Sequence, residues 1–235
     1  MDSGWDASAS AWIEQMGQQG DWGRRFVLDR PMLARVRGRG FRQAVDIGCG
    51  EGRFCRMLQA EGIPTIGIDP TAALIDAARR RDPTGDYRVA SAEDLPLVDS
   101  SCDLAVFYLS LIDIADLRAA LHEASRVLQP GGSLLIANLQ SFNTASIDQG
   151  WHRAWNGALH FRIDDYLQER VTRVSWKGIR IANYHRPLQA YMAELLGLGF
   201  QLQHFSEPEP YGVSDAKAER FRRVPNFLLM EWQRG

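Results

Sequence analysis

The middle of the chain alternates two kinds of pattern. Short, almost wholly apolar runs at 44–48, 65–69, 87–90, 104–108 and 133–138 predict strands. Between them, 52–61, 71–81 and 116–128 carry apolar residues at helical spacing. Thr71 can cap the second of these helices, and Pro130-Gly131-Gly132 breaks the chain before the fifth strand. Strands without polar alternation are buried on both faces, and strand–helix alternation predicts a parallel sheet. Right-handed crossovers make it doubly wound.

Further along, 188–196 is again helical and stops at Gly197 and Gly199. Residues 200–205 and 227–232 predict two closing strands. The link between them holds too little helix for a parallel crossover, so an antiparallel pair is expected. The rhythm fails in two places. Residues 1–23 are rich in Gly, Ser and Gln yet carry Trp5, Trp12 and Trp22; an arm or lid on the domain is expected, followed by a helix over 24–36. From 139 to 184 aromatic and polar residues mix, and 169–181 reads as two short strands about a Lys177-Gly178 turn. That stretch is expected to be an insertion between the fifth and sixth strands, covering the substrate. The chain is otherwise expected to be a single domain over 1–235.

The first strand ends in Val45-Asp46-Ile47-Gly48-Cys49-Gly50-Glu51-Gly52, the second in Gly67-Ile68-Asp69-Pro70. Glycines there let backbone approach a ligand. The helix start that follows offers unpaired N–H groups and partial positive charge. An acidic residue closing the next strand, about 20 positions on, is where such sheets hold ribose hydroxyls. An adenosine-containing ligand at the carboxyl edge is implied. A nicotinamide or flavin site would need Gly-x-Gly-x-x-Gly, whereas these glycines alternate and residue 53 is Arg.

Composition narrows the class. The 235 residues are 45% hydrophobic and 24% charged, with net charge -2 and pI near 6.2. That is ordinary for a globular protein, and it argues against a broad nucleic-acid surface. No apolar stretch is long enough for a membrane span. Three cysteines at positions 49, 55 and 102 show no metal-type spacing; with no secretory signal they fit a reducing cytoplasm, and no metal site is expected.

Five ordered segments resemble class I S-adenosylmethionine-dependent methyltransferases. They are the 45–52 motif, the Gly67-Ile68-Asp69-Pro70 loop, Ala90-Ser91-Ala92-Glu93-Asp94-Leu95-Pro96-Leu97, Ser101-Cys102-Asp103-Leu104-Ala105-Val106, and Arg126-Val127-Leu128-Gln129-Pro130-Gly131-Gly132-Ser133-Leu134. The resemblance implies a Rossmann-like, seven-stranded, mostly parallel sheet with an antiparallel last strand. It also implies S-adenosyl-L-methionine as cofactor and methyl transfer to an oxygen or nitrogen of a small molecule by in-line displacement.

The resemblance assigns residues as well. Gly48 and Gly50 would pass against the methionine part of the cofactor, with Asp46 near its amino group. Asp69 would accept from both ribose hydroxyls, Pro70 would pack on adenine, and Ala92 would donate its N–H to the ring. Many relatives carry Asp where this chain has Ser91, so Ser91, Glu93 or Asp94 would receive the adenine amino group. Arg24 or Arg25 would hold the cofactor carboxylate.

A general base is needed only where the acceptor arrives protonated. His185, in Asn183-Tyr184-His185-Arg186-Pro187, is the candidate base or acceptor ligand, with a capping or positioning role as the alternative. Tyr108, His152 and Tyr184 are candidate acceptor contacts, and Asp113 is placed at the same sheet edge. Trp151, Trp155, Phe161 and Trp176 could form an acceptor pocket, a small core or a dimer contact. Two other functions compete: a cofactor-binding scaffold without turnover, and a macromolecule methyltransferase. The latter would show a basic stripe or an Asn-Pro-Pro-Tyr type motif, where this chain has Tyr108-Leu109-Ser110-Leu111.

Overall fold

The computed structural model describes residues 3–235, with the side chains of 147–149 left aside. The elements run α1 (Trp5–Met16), a π-helical turn (Arg24–Leu28), α2 (Asp29–Ala34), β1 (Ala44–Ile47), α3 (Arg53–Ala60), β2 (Thr65–Asp69), α4 (Ala72–Arg81), β3 (Asp86–Val89), β4 (Cys102–Tyr108), α5 (Leu117–Val127) and β5 (Leu128–Leu139). Then come α6 (Ser141–Thr144), the strands β6 (Ser146–Arg153), β7 (Leu159–Ile163), β8 (Arg170–Trp176) and β9 (Ile179–His185), α7 (Leu188–Gly197), β10 (Gln201–Ser206), α8 (Ala216–Arg223) and β11 (Phe227–Gln233).

Seven strands form one sheet in the order β10-β11-β5-β4-β1-β2-β3. The ladders joining β5, β4, β1, β2 and β3 are parallel, and β11 runs antiparallel to both its neighbours. The expected doubly wound sheet is therefore present. Because side chains alternate across a strand, β4 feeds both faces. Ala105 and Phe107 join the layer under α5 and α7, while Leu104, Val106 and Tyr108 join that under α2 and α3. Both faces are buried, which is why the strands read as unbroken apolar runs.

Three expectations need correction. Pro130-Gly131-Gly132 does not end before the fifth strand but lies inside β5. Gly131 and Gly132 exchange backbone bonds with Arg234, which carries the ladder through the turn residues. Thr71 stands at the N-cap of α4 without a side-chain cap bond; its hydroxyl serves Asp69 instead. The N-terminal stretch, expected as an arm or lid before a helix over 24–36, carries a helix of its own over Trp5–Met16. Gly4 (φ 85) starts it, where a Cβ would lie 2.2 Å from the Arg180 carbonyl oxygen. Close docking on β9 therefore demands glycine at this position.

The 139–184 stretch is two hairpins, β6–β7 and β8–β9. Lys177 (φ 42) and Gly178 (φ 83) form the two-residue loop of the second. Two positive φ values suit the twist of an antiparallel pair. Ser8 bonds Arg180 at both its N–H (3.0 Å) and its carbonyl (3.2 Å), fastening α1 to β9. No helix among the described residues is long and apolar enough to cross a membrane.

Candidate active site

In the sheet order, β1 lies between β2 and β4, where the winding direction reverses. A crevice opens at the carboxyl ends of strands at such a point. The turn after β1 and the loop after β4 touch there. Gly48 (φ 77) has no room for a side chain, since a Cβ would fall 2.3 Å from Ser110 Cβ. Ser110 donates its hydroxyl to the Ile47 carbonyl at 2.6 Å.

Asp69 closes β2 and holds the turn. Its Oδ2 accepts the Gly50 N–H and its Oδ1 the Thr71 N–H, each at 2.9 Å. The Thr71 hydroxyl takes a further site, and the acceptor capacity that remains on the carboxylate is open to an outside donor. Burial raises the Asp69 carboxyl above its usual range, and the Thr71 and Gly50 amides draw it back.

Asp46 is 1% exposed. Oδ2 accepts the Cys55 thiol at 3.4 Å, whereas Oδ1 is without a hydrogen-bond partner among the described residues. Burial pushes the Asp46 carboxyl up to about 7; the Cys55 thiol opposes that, Asp69 adds to it and Arg24 opposes it. A buried acceptor left unmade is costly, and a ligand N–H supplied there offsets the cost.

These groups face one cavity of about 350 Å³. Trp5, Trp12 and Met16 of α1 wall one side. Arg24 stands 5.0 Å from the Trp12 ring centre and 5.6 Å from that of Tyr108, and its Nη1 donates to Asp21 Oδ2 at 2.6 Å. Tyr108 donates its hydroxyl to Asp29 Oδ1 at 2.7 Å, and Asp29 is gripped by the Arg53 guanidinium. Ser91 gives its hydroxyl proton to Glu93, whose N–H returns to Ser91 Oγ at 3.1 Å. Asp94, the third adenine-loop candidate, is exposed and lies outside the lining.

On the far wall Asp113 accepts the Asn183 amide at 2.5 Å and a hydrogen bond from the Trp5 side chain. Burial pushes its carboxyl up to about 8, with Asn183, Arg24 and Trp5 opposing. The loop carrying it is held from β9 and the residue beyond. Tyr184 donates its N–H to Ile112 O at 2.8 Å, and Arg186 donates to the carbonyls of Leu111 (3.1 Å), Ile114 (2.7 Å) and Ala115 (2.8 Å).

Of the residues singled out in the sequence, Arg24, Asp46, Gly48, Gly50, Asp69, Pro70, Ser91, Ala92, Glu93, Tyr108 and Tyr184 all line this cavity. His185 and His152 do not. His185 is 1% exposed; its Nε2–H donates to the Tyr166 carbonyl at 2.8 Å and its Nδ1 lies 2.5 Å from the Thr144 hydroxyl oxygen. Burial lowers its pKa, the Tyr166 carbonyl opposing. A neutral imidazole with both nitrogens engaged positions backbone rather than takes a proton, which corrects the base assignment. His152 sits on the β6–β7 hairpin opposite His160, away from the cavity lining.

Sequence reasoning missed Met16, Asn183 and Arg186, and named Trp5 and Trp12 only as parts of an arm or lid. The stripe 5, 8, 9, 12 and 16 was the available signal for α1. Nothing local announces that Asn183 reaches Asp113.

Comparison with known proteins agrees with this geometry. Residues 45–136 match a methyltransferase domain family. The malonyl-[acyl-carrier protein] O-methyltransferase of Yersinia pestis is 33% identical over 123 residues, 52% of this chain and 45% of that one. The Salmonella typhimurium protein of the same name is 27% identical over 165 residues, 70% and 64% respectively. The chain thus spans about half the length of the first of these relatives. A solved S-adenosylmethionine-dependent methyltransferase from Mesorhizobium loti is 27% identical with TM-score 0.75, covering 87% of this chain and 96% of that one. Motif order, sheet topology and these likenesses converge: residues 45–136 are a methyltransferase domain, set in the fold of the class I S-adenosylmethionine-dependent methyltransferases.

Proposed function

We propose that the protein transfers a methyl group to an oxygen or nitrogen of a small molecule. The observation that carries this reading is the unpaired Asp46 Oδ1 in the same cavity as the Gly48–Gly50 turn and Asp69. The family cofactor carries an ammonium, a carboxylate, a ribose diol and an adenine, and the lining holds a partner for each. Asp46 suits the ammonium, Arg24 the carboxylate, and the spare lone pairs of Asp69 the diol. Pro70 and Ala92 suit the adenine ring. Glu93 suits its amino group better than Ser91, since the carboxylate keeps acceptor sites beyond the one taken by Ser91 whereas Ser91 Oγ already accepts the Glu93 N–H.

When bound, the cofactor supplies a methyl group activated by its sulfonium charge. This chain's residues then have three tasks. They orient the acceptor at near-attack distance. They keep water from the charge through the rings of Trp5, Trp12 and Tyr108. They also hold the acceptor's polar hydrogen on the wall that carries Asp113. Helix α1 acts as the cover and the β8–β9 hairpin braces it, so the whole 3–235 stretch works as a single unit. The relatives from Yersinia and Salmonella are named for a carrier-bound malonyl acceptor, which makes carboxyl oxygen one acceptor to assay.

The test is calorimetric titration with S-adenosylmethionine and S-adenosylhomocysteine. Binding of both, with Asp46→Ala weakened, supports the reading; absence of binding at millimolar concentration overturns it. Binding without methyl transfer to any of a broad acceptor panel would favour a scaffold.

A further inference from the structure

We propose that Asp113 is the acceptor-binding residue and that the acceptor is a small amine. The inference rests on the methyltransferase reading above. It starts from which charges of the cavity already have work. Glu51 is bound by Arg56 and Arg81, and Asp69 by two backbone amides. Asp46 and Glu93 suit the cofactor. Both arginines of the lining are matched by carboxylates outside it, Arg24 by Asp21 and Arg53 by Asp29. Asp113 is the ionisable group of the wall that remains.

Its setting suits a cation with an apolar body. Trp5 and Tyr184 line the same wall, and aromatic faces attract ammonium groups. Asn183 and Trp5 each supply a donor to Asp113. A carboxylate has about four acceptor sites, so a place remains for an ammonium N–H. Arg186 and Tyr184 fix the Asp113 loop through four backbone carbonyls. The carboxyl is therefore presented on a rigid floor.

An acceptor carboxylate fares worse here. Placed at this wall above about pH 8 it would meet the Asp113 carboxylate, while Arg24, the cation that acts on Asp113, is paired with Asp21 and suits the cofactor carboxylate; like charges in a half-dry cavity repel. The amine gains a second advantage. An ammonium must lose a proton before its nitrogen can attack. The proton passes from R–NH₃⁺ to the Asp113 carboxylate, giving R–NH₂ with its lone pair free and a neutral carboxylic acid. Burial brings that carboxyl up to about 8, so the step starts from the ionised form that predominates above that pH, and the acid it yields lies closer in strength to the ammonium than an ordinary carboxyl does.

The experiment uses the full chain loaded with S-adenosylhomocysteine at about pH 8.5, where the Asp113 carboxyl is largely ionised and benzylamine still largely protonated, and three matched probes: benzylamine, benzyl alcohol and phenylacetate. Trp5 and Trp12 line the cavity, so quenching of tryptophan fluorescence reads probe binding. Benzylamine is expected to bind about tenfold tighter than phenylacetate, and Asp113→Asn to abolish that preference. Asn183→Ala should reduce the preference less, since it leaves the carboxyl in place. In both variants S-adenosylhomocysteine should bind within about twofold of wild type, which also shows that they fold. Preference for phenylacetate or benzyl alcohol, an amine preference that survives Asp113→Asn, or no binding by any probe at about 50 mM overturns the proposal. Failure to bind S-adenosylhomocysteine overturns the methyltransferase reading instead.

Discussion

Asp69 Oδ2 accepts the backbone N–H of Gly50 at 2.9 Å, so the end of the second strand fixes the turn after the first. The same carboxyl therefore shapes the cradle and faces its contents. Asp69→Ala should weaken S-adenosylhomocysteine binding by about 2 kcal/mol or more, since ribose hydroxyls and the Gly50 amide lose their acceptor together. Asp69→Asn retains one acceptor oxygen and should fall between the two. Isothermal titration of all three proteins checks the order.

The orphaned oxygen of Asp46 gives cofactor binding a pH dependence. Its carboxyl titrates at about 7 in the folded protein. Below that value it is neutral and holds an ammonium poorly; above it the carboxylate is formed. Affinity for S-adenosylhomocysteine should rise between pH 6 and pH 8, by up to about tenfold, and Asp46→Asn should flatten the curve. A wild-type affinity independent of pH over that range counts against the assignment.

The same group makes a stability prediction of opposite sign. The unfolded chain releases this proton near 4 and the folded chain near 7, so the folded state binds more protons in between. Ligand-free stability contributed by Asp46 is therefore greatest below about 4 and declines as pH rises to about 7. Asp46→Asn should unfold at higher urea than wild type at pH 8, with the difference vanishing near pH 4. Paired denaturation curves measure it.

Arg186 is 4% exposed and donates to three carbonyls without a carboxylate partner. Arg186→Met fills much of the space but leaves those carbonyls unmet. A loss of about 2–4 kcal/mol is expected in urea denaturation.

His185 predicts a different signature. His185→Ala removes two hydrogen bonds and should cost about 1–3 kcal/mol of stability. It should leave S-adenosylhomocysteine affinity, and the acid limb of any pH–rate profile, in place. Disappearance of that limb would restore the base role.

The two halves of the site differ in how far sequence reveals them. The gathering in one cavity of the residues proposed for the cofactor was legible because they stand at strand ends and in tight turns. Asp46, Gly48, Gly50 and Asp69 are fixed by local backbone needs that leave a local pattern. The acceptor half is assembled across distance: Asn183 meets Asp113 from 70 residues away, and Trp5 reaches it from the far end of the chain. Such contacts depend on how hairpins and α1 pack, which no short spacing encodes. His185 shows the reverse error. A histidine beside an Arg-Pro pair drew attention as chemistry, and burial with two partners made it a fastening.

The bonds from Asn183, Tyr184 and Arg186 to the 111–115 loop mark a seam. Upstream of it, the hairpins touch the sheet through α6 and the chain just after β5. Downstream, α7 returns to the sheet. The hairpins are thus a cassette whose splice points lie after Leu139 and before Asn183, with a second attachment inside it where the backbone of residue 180 receives Ser8 of α1. A hairpin pair transplanted from a relative should remain compatible with this sheet when the Asn183–Arg186 stretch is kept, and should disorder the acceptor wall when that stretch is replaced along with it.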